Sequence, residues 1–281
     1  MGLVIVLAAL TAFAIILWLI GANEPVYRIA RGASWFVALR GGGEAVALAS
    51  NVSITWSARA DLSFIGGDDP YWSRFYILAG GDPAHLPVDL CNAEDAYVAR
   101  VAFGAPPKLA LGVLRLLVTL GILNKPAGAV SGDVQSKGYR SELMPNQSAI
   151  AHLLSRPQSY APSMVNFLAY RPSALYADGR ASSGRAAYAR YGIVAMRTVH
   201  RTGGHLLFFG RITEVLREAT NGPTTGAWND VAAMRYSNPA AILTMENMAD
   251  YRAALHHRDA GLERTVVIAS TESRGLPLKA N

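Results

Sequence analysis

The hydrophobic pattern is densest at the start of the chain. From Leu3 to Ala22 no charge interrupts a run of mostly Leu, Ile, Val and Ala. At about 1.5 Å per residue, a helix of that length reaches across a hydrocarbon core roughly 30 Å thick. The pattern therefore predicts a transmembrane helix over residues 1–22. A cleaved signal peptide competes, because Ile20, Gly21 and Ala22 resemble a weak small-residue cleavage site. It lacks a basic n-region before Leu3 and a clear A-x-A site, so an uncleaved anchor is the favoured expectation. Arg28, Arg31 and Arg40 follow the span and only the terminal amine precedes it. The positive-inside rule then predicts a single-pass cell-membrane protein with its C-terminal bulk in the cytoplasm.

Beyond Asn23 the pattern is mixed and predicts a membrane-proximal α+β domain over residues 23–138. Glu44 to Trp56 and Arg74 to Ala79 read as strands, rich in β-branched and aromatic residues and punctuated by Gly41-Gly42-Gly43, Gly66-Gly67 and Gly80-Gly81. The triple glycine lacks the Lys-Ser/Thr of a phosphate loop and reads as a turn. Leu109 to Leu123 is an apolar helix bounded by Pro106-Pro107-Lys108 and Asn124-Lys125-Pro126. It is too short for a second span and carries Arg115 near its centre. It is either a buried core helix, the favoured alternative, or one lying in the membrane interface. Ala127 to Gly138 reads as a linker and sets the domain boundary. A faint repeat pairs residues 73–79 with 163–169 and 96–100 with 187–191, which would make the first domain a degenerate copy of the second, an internal pseudo-dimer.

The last part, residues 139–281, alternates strand and helix patterns. Met164 to Tyr170 reads as a central strand, and Arg185 to His200 as a helix with Tyr188, Tyr191, Ala195 and Val199 on one face, closed by Gly203-Gly204. Strands follow over His205 to Val215 and Asp230 to Tyr236, Asn238-Pro239 starts a second helix, and Arg264 to Ser270 is the last strand. That order, β-α-β-β-α-β, is the ferredoxin-like unit. The fold class is α+β.

Met164-Val165-Asn166-Phe167-Leu168, Tyr188-Ala189-Arg190-Tyr191-Gly192, Gly203-Gly204-His205, Trp228-Asn229-Asp230-Val231 and the run His257 to Thr265 occur in this order. Together they resemble the DUF1330 family of the dimeric α/β-barrel superfamily, a bacterial group of uncharacterised function. The resemblance covers about the last two-fifths of the chain, with a lead-in at Pro145 to Leu154, and does not extend to the anchor or to the domain before Gly138. It implies a homodimer in which two sheets face each other, and no agreed catalytic residue. Relatives in the wider superfamily include cofactor-independent monooxygenases, isomerases and haem-binding proteins, which use the cavity between sheet and helices or within the barrel.

Composition narrows the field. The formal charge of +6 and isoelectric point near 9.5 suit anionic lipid. The arginines are scattered, without a nucleic-acid module. Cys91 is the only cysteine, which excludes an intramolecular disulfide and a cysteine-based zinc site. The candidate ligand-binding residues are Asn166, an amide in an apolar strand, Arg211, Trp228, Asp230 and Arg258. Arg211 with Arg235 could hold a carboxylate or enolate, although ion pairs with Asp230, Glu214 or Glu263 are the favoured account. His256, His257, Asp259 and Glu263 match no zinc-helix spacing, so no metal site is expected. His205 suits a general base, an axial haem ligand or a half-exposed strand start. Ser182-Ser183 has no matching His and Asp, so a serine hydrolase has no support.

These residues point to a membrane-anchored protein that binds a small apolar or anionic molecule, with an enzymatic role open and no cofactor assigned. The alternative is an accessory or scaffold subunit of a membrane complex.

Overall fold

The computed structural model describes residues 2–41, 47–126, 128 and 139–273. Apart from Gly128, the predicted linker lies outside the described residues, as do Gly42, Gly43 and Glu44. In chain order the elements are α1 (Gly2–Ala22), α2 (Pro25–Ile29), β1 (Ala33–Gly41), β2 (Val52–Ile65), β3 (Arg74–Gly80), β4 (Ala93–Gly104), α3 (Lys108–Thr119), α4 (Gln147–Leu154), β5 (Ser163–Tyr170), α5 (Gly184–Arg201), β6 (His205–Arg217), β7 (Asp230–Arg235), α6 (Ala241–Thr244), α7 (Ala249–Gly261) and β8 (Leu262–Glu272).

The eight strands form one closed antiparallel barrel in the order β1-β3-β2-β8-β5-β7-β6-β4. Its two halves repeat one strand order, last-first-third-second: β4-β1-β3-β2 and then β8-β5-β7-β6. Two long strands close the ring. Residues 52–59 of β2 pair with β3 while 58–65 pair with β8. Residues 205–211 of β6 pair with β7 while 209–217 pair with β4. The stretches before and after the linker thus each supply half of one barrel. The repeat is in the strand order, and the short strings suggested by the sequence do not mark it. Residues 73–79 fall in the third strand of their half and 163–169 in the first of theirs, while 96–100 are strand and 187–191 helix.

The C-terminal half follows the predicted order closely. Ser183 caps α5 by accepting a hydrogen bond from the Ala186 amide (3.2 Å), and Gly203, at φ +82°, ends it in the left-handed conformation. In the N-terminal half the strand expected from Glu44 begins only at Val52 and runs on to Ile65. Helix α4 packs on the end of β2 at Leu62 and Phe64, but among the described residues no helix covers the outer face of β1, β3 and β4. The β1–β2 and β3–β4 loops lie there instead, bridged to each other at Leu48 and Val88, over Trp35, Val37, Tyr76, Leu78 and Val98.

The barrel lumen is packed with aromatic rings from both halves. Phe36 meets Phe167 edge-on at 5.3 Å, Trp56 meets Phe208 at 5.1 Å and Tyr97 meets Phe167 at 5.7 Å. Ile29 of α2 joins this cluster.

Helix α1 is long and apolar enough to cross a bilayer by length and composition, features it shares with a secretion signal, and nearly all its side chains are exposed. Its last turns pack on α3. A Cβ on Gly21 would lie 1.8 Å from the Lys108 carbonyl oxygen, and one on Gly112 would lie 1.8 Å from that of Leu17, so only glycine permits this approach. The helix expected at Leu109 to Leu123 therefore does not enter the barrel core, contrary to the favoured expectation. It buries only Leu111, Gly112 and Val118. The physical reason is that the lumen is already filled by strand side chains.

Arg115 turns toward the barrel, where it meets Glu24 at 2.7 Å and His205 at 2.9 Å, and Glu24 also contacts His205 (2.9 Å) and the fully buried His200 (3.5 Å). Burial would raise the Glu24 pKa, but the hydrogen bonds from the two histidines and the Arg115 charge outweigh it and hold the carboxyl far below the usual range.

Two predictions follow from this packing. Phe167→Ala should cost about 3–5 kcal/mol in urea unfolding, because the lumen cannot collapse into the space. A carboxylate whose folded pKa is lowered stabilises the fold fully above its unfolded value, here 4.5, and loses that stabilisation as pH falls. Glu24→Gln should therefore cost about 3 kcal/mol at pH 7, and its deficit relative to the parent should shrink in melts taken progressively below pH 4.5.

Candidate functional site

On the outer face of the C-terminal half, α5 and α7 do not close completely onto the sheet. A cavity of about 80 Å³ remains between them. Strand alternation sets its floor: Val165 and Phe167 point into the lumen, so Met164, Asn166 and Leu168 point outward beneath the helices. The floor also includes Thr265 of β8, whose hydroxyl donates to the Phe167 carbonyl (2.9 Å).

Two of the predicted residues meet here. Asn166 donates from its amide nitrogen to the Met164 carbonyl at 2.8 Å. Arg258, in the last turn of α7, lies with its guanidinium 6.0 Å from the Tyr191 ring, and its one polar contact is with the Met144 sulfur at 3.6 Å. Among the described residues no carboxylate pairs with it.

The other three lie elsewhere. Asp230 is fully buried and accepts from Tyr170 and Arg185, both at 2.7 Å, through one carboxylate oxygen, while the other oxygen has no partner. Trp228 packs in the lumen against Phe167, with the Arg264 guanidinium 4.0 Å above its ring. Arg211 is exposed on β6. Arg235 does not join it around an anion, since it faces Glu272 at 3.5 Å. His205 is engaged by Glu24 and Arg115. No group of three or more His, Cys, Asp or Glu among the described residues could hold a metal ion.

Sequence reasoning missed Glu246, Tyr251 and Thr265. The spacing Tyr251, Leu255, Arg258 is one helical face, which could have brought Tyr251 in with Arg258. The Tyr251 and Tyr191 hydroxyls share a 3.0 Å hydrogen bond, and burial pushes the Tyr188, Tyr236 and Tyr251 phenols well above their ordinary value. These groups stay protonated and can donate to an acceptor. Burial also raises the Glu246 carboxyl, against the opposing charges of Arg252 and Arg258. No Ser, Cys or His lines the cavity. The arrangement combines one cation, several protonated phenols and an amide with apolar walls from Met144, Met164, Met234 and Leu255.

No family model matches the chain, and no curated protein matches it. Two solved structures are similar. One is a methylated RPA0582 protein, 29% identical over 49% of this chain and 97% of its own, with a TM-score of 0.42. The other is described as the RPA0582 protein of unknown function from Rhodopseudomonas palustris, 27% identical over 47% of this chain and 98% of its own, also with a TM-score of 0.42.

The raised carboxyl yields a prediction with a definite sign. An acid whose folded pKa exceeds its unfolded value weakens the fold once it ionises, so Glu246→Gln should stabilise the protein at pH 8 and be close to neutral at pH 4. Thermal melts at the two pH values check this.

Proposed function

We propose that this chain is a membrane-anchored protein that binds a small molecule with an apolar body and an anionic head, in the cavity beneath α5 and α7. The observation that carries this reading is Arg258. A half-buried guanidinium that forms no ion pair with a carboxylate among the described residues attracts an anion, and it borders this cavity, where the raised pKa of Glu246 keeps that carboxyl a weak competitor. Asn166 and the phenols supply directional contacts, and the methionines supply an adaptable apolar wall.

The groups in the cavity able to move a proton are Glu246 and the tyrosines, so a reaction there would be a proton transfer rather than acyl transfer through a nucleophile. We read the two halves as fused ferredoxin-like units, the second DUF1330-like. On that reading one chain builds the barrel that two chains build in the family, and a monomer is the expected state. Helix α1 serves as the anchor, supported by its exposed apolar surface and by its backbone packing on α3, and the flanking arginines favour a cytoplasmic barrel. The anchor would keep the cavity beside lipid-soluble molecules.

The test is a thermal-shift and calorimetric screen of the detergent-extracted full chain against small aromatic and aliphatic monocarboxylates and their neutral amides. Carboxylates should bind in preference to the amides. Arg258→Met should weaken that binding at least about tenfold, Asn166→Ala should weaken it less, and Arg211→Ala should leave it unchanged. Carboxylate binding that survives Arg258→Met would sink the proposal.

A further inference from the structure

Helix α3 has two faces of opposite character. At about 100° per residue, Leu109, Val113 and Leu120 lie within about 40° of one another and about 120–160° from Arg115. Arg115 faces the barrel and is consumed by Glu24 and His205. The opposite face is bare: Leu109, Val113 and Leu120 are 45%, 37% and 62% exposed, and Ile122 in the following turn is 62% exposed.

This bare face is continuous with the surface of α1, because the two helices touch backbone to backbone at Gly21 and Gly112. The contact falls at the end of α1 nearer the barrel. There Lys108 places its ammonium 4.4 Å over the Trp18 ring and 5.3 Å from that of Tyr27, an aromatic and basic pairing suited to the headgroup level. At the other end of the helix the Asn124 carbonyl accepts a 2.7 Å hydrogen bond from Arg201 of α5, which ties α3 between α1 and the barrel. Helix α3 contains no acidic residue, and Lys125 follows it.

We propose that α3 is a second membrane-contacting element, seated in the bilayer interface with its Leu109, Val113 and Leu120 face among the acyl chains and Lys108 and Lys125 at the phosphates. The proposal rests on α1 being the anchor. It makes the barrel a rigid neighbour of the membrane rather than a domain on a free tether, because Glu24 and Arg115 fasten both helices to it.

The test uses the full chain carrying Cys91→Ser, with an environment-sensitive fluorophore on single cysteines introduced as Phe13→Cys, Val113→Cys, Leu120→Cys or His152→Cys. All four positions are exposed, so labelling leaves the packing intact. In phosphatidylcholine–phosphatidylglycerol vesicles, brominated lipid should quench the probes at 13, 113 and 120, and aqueous iodide should quench the probe at 152. If iodide rather than bromolipid quenches 113 and 120 while 13 remains lipid-quenched, the proposal fails and the anchor stands. Protection of 113 and 120 from both quenchers would place protein on this face and also overturn it. Absence of lipid quenching at 13 would remove the anchor and this proposal together.

Discussion

Edge satisfaction in the β-sheet governs this architecture. Each four-stranded half ends in two edge strands whose backbone groups need partners, and an open sheet would expose them to pairing with other chains. The chain resolves this internally. Strands β2 and β6 are longer than their own sheets require, and each continues past its in-half neighbour to pair with the last strand of the opposite half. Closure then dictates the interior. A ring of eight strands has a lumen that side chains just fill, and here aromatic rings from both halves interlock in it. The cavity accordingly lies on the outer face and not in the lumen.

The halves share a strand order but differ in what covers them. Behind β1, β3 and β4 the connections are short loops that press Leu48, Val88 and Leu90 directly onto the sheet. Behind β5, β7 and β8 the connections are helices, whose rounded surfaces leave space over a pleated sheet. The N-terminal half instead gains α1, α2 and α3, joined to the barrel through a buried carboxylate flanked by an arginine and two histidines. A buried ion pair of this kind contributes little net stability, but it penalises any arrangement that leaves one partner alone. Its main effect is to fix orientation.

What the sequence disclosed follows from how local each signal is. The C-terminal helices and strands were legible because their punctuation is local: Ser183 before α5, Gly203 after it, and an amide-bearing apolar strand at Ser163–Tyr170. Strand β1 was missed because Trp35 to Leu39 is a continuous apolar run without alternation, buried on both faces by the lumen and the loops. Closure was not legible, since the pairings of β2 with β8 and β4 with β6 join residues more than a hundred positions apart. Of the residues singled out in the sequence, Asn166, an anomaly of polarity in an apolar strand, and Arg258 line the cavity. Trp228 lies in the lumen, a matter of which side of the sheet its register gives it, whereas Asp230 shares the outer face with its cross-strand neighbour Leu168 but is held beside the cavity by Arg185 and Tyr170.

Asp230 and Arg258 are two charges near α5 with different surroundings. Both are removed from water near α5, and both carry a desolvation penalty. Asp230 has its charge matched within the chain by the Arg185 guanidinium, with the Tyr170 hydroxyl donating to the same oxygen, both at 2.7 Å, so the cost is recovered in part although its second oxygen has no partner. Among the described residues Arg258 has a methionine sulfur and the face of a tyrosine as its contacts, with the Glu246 carboxyl acting on it across the same cavity but not in an ion pair. A leucine or methionine would fill the same space against Tyr191 and Leu255 without that cost. On the proposed reading, an anion that is not part of the chain would complete the cation, and the cavity beside it would give that anion's apolar body a place to lie.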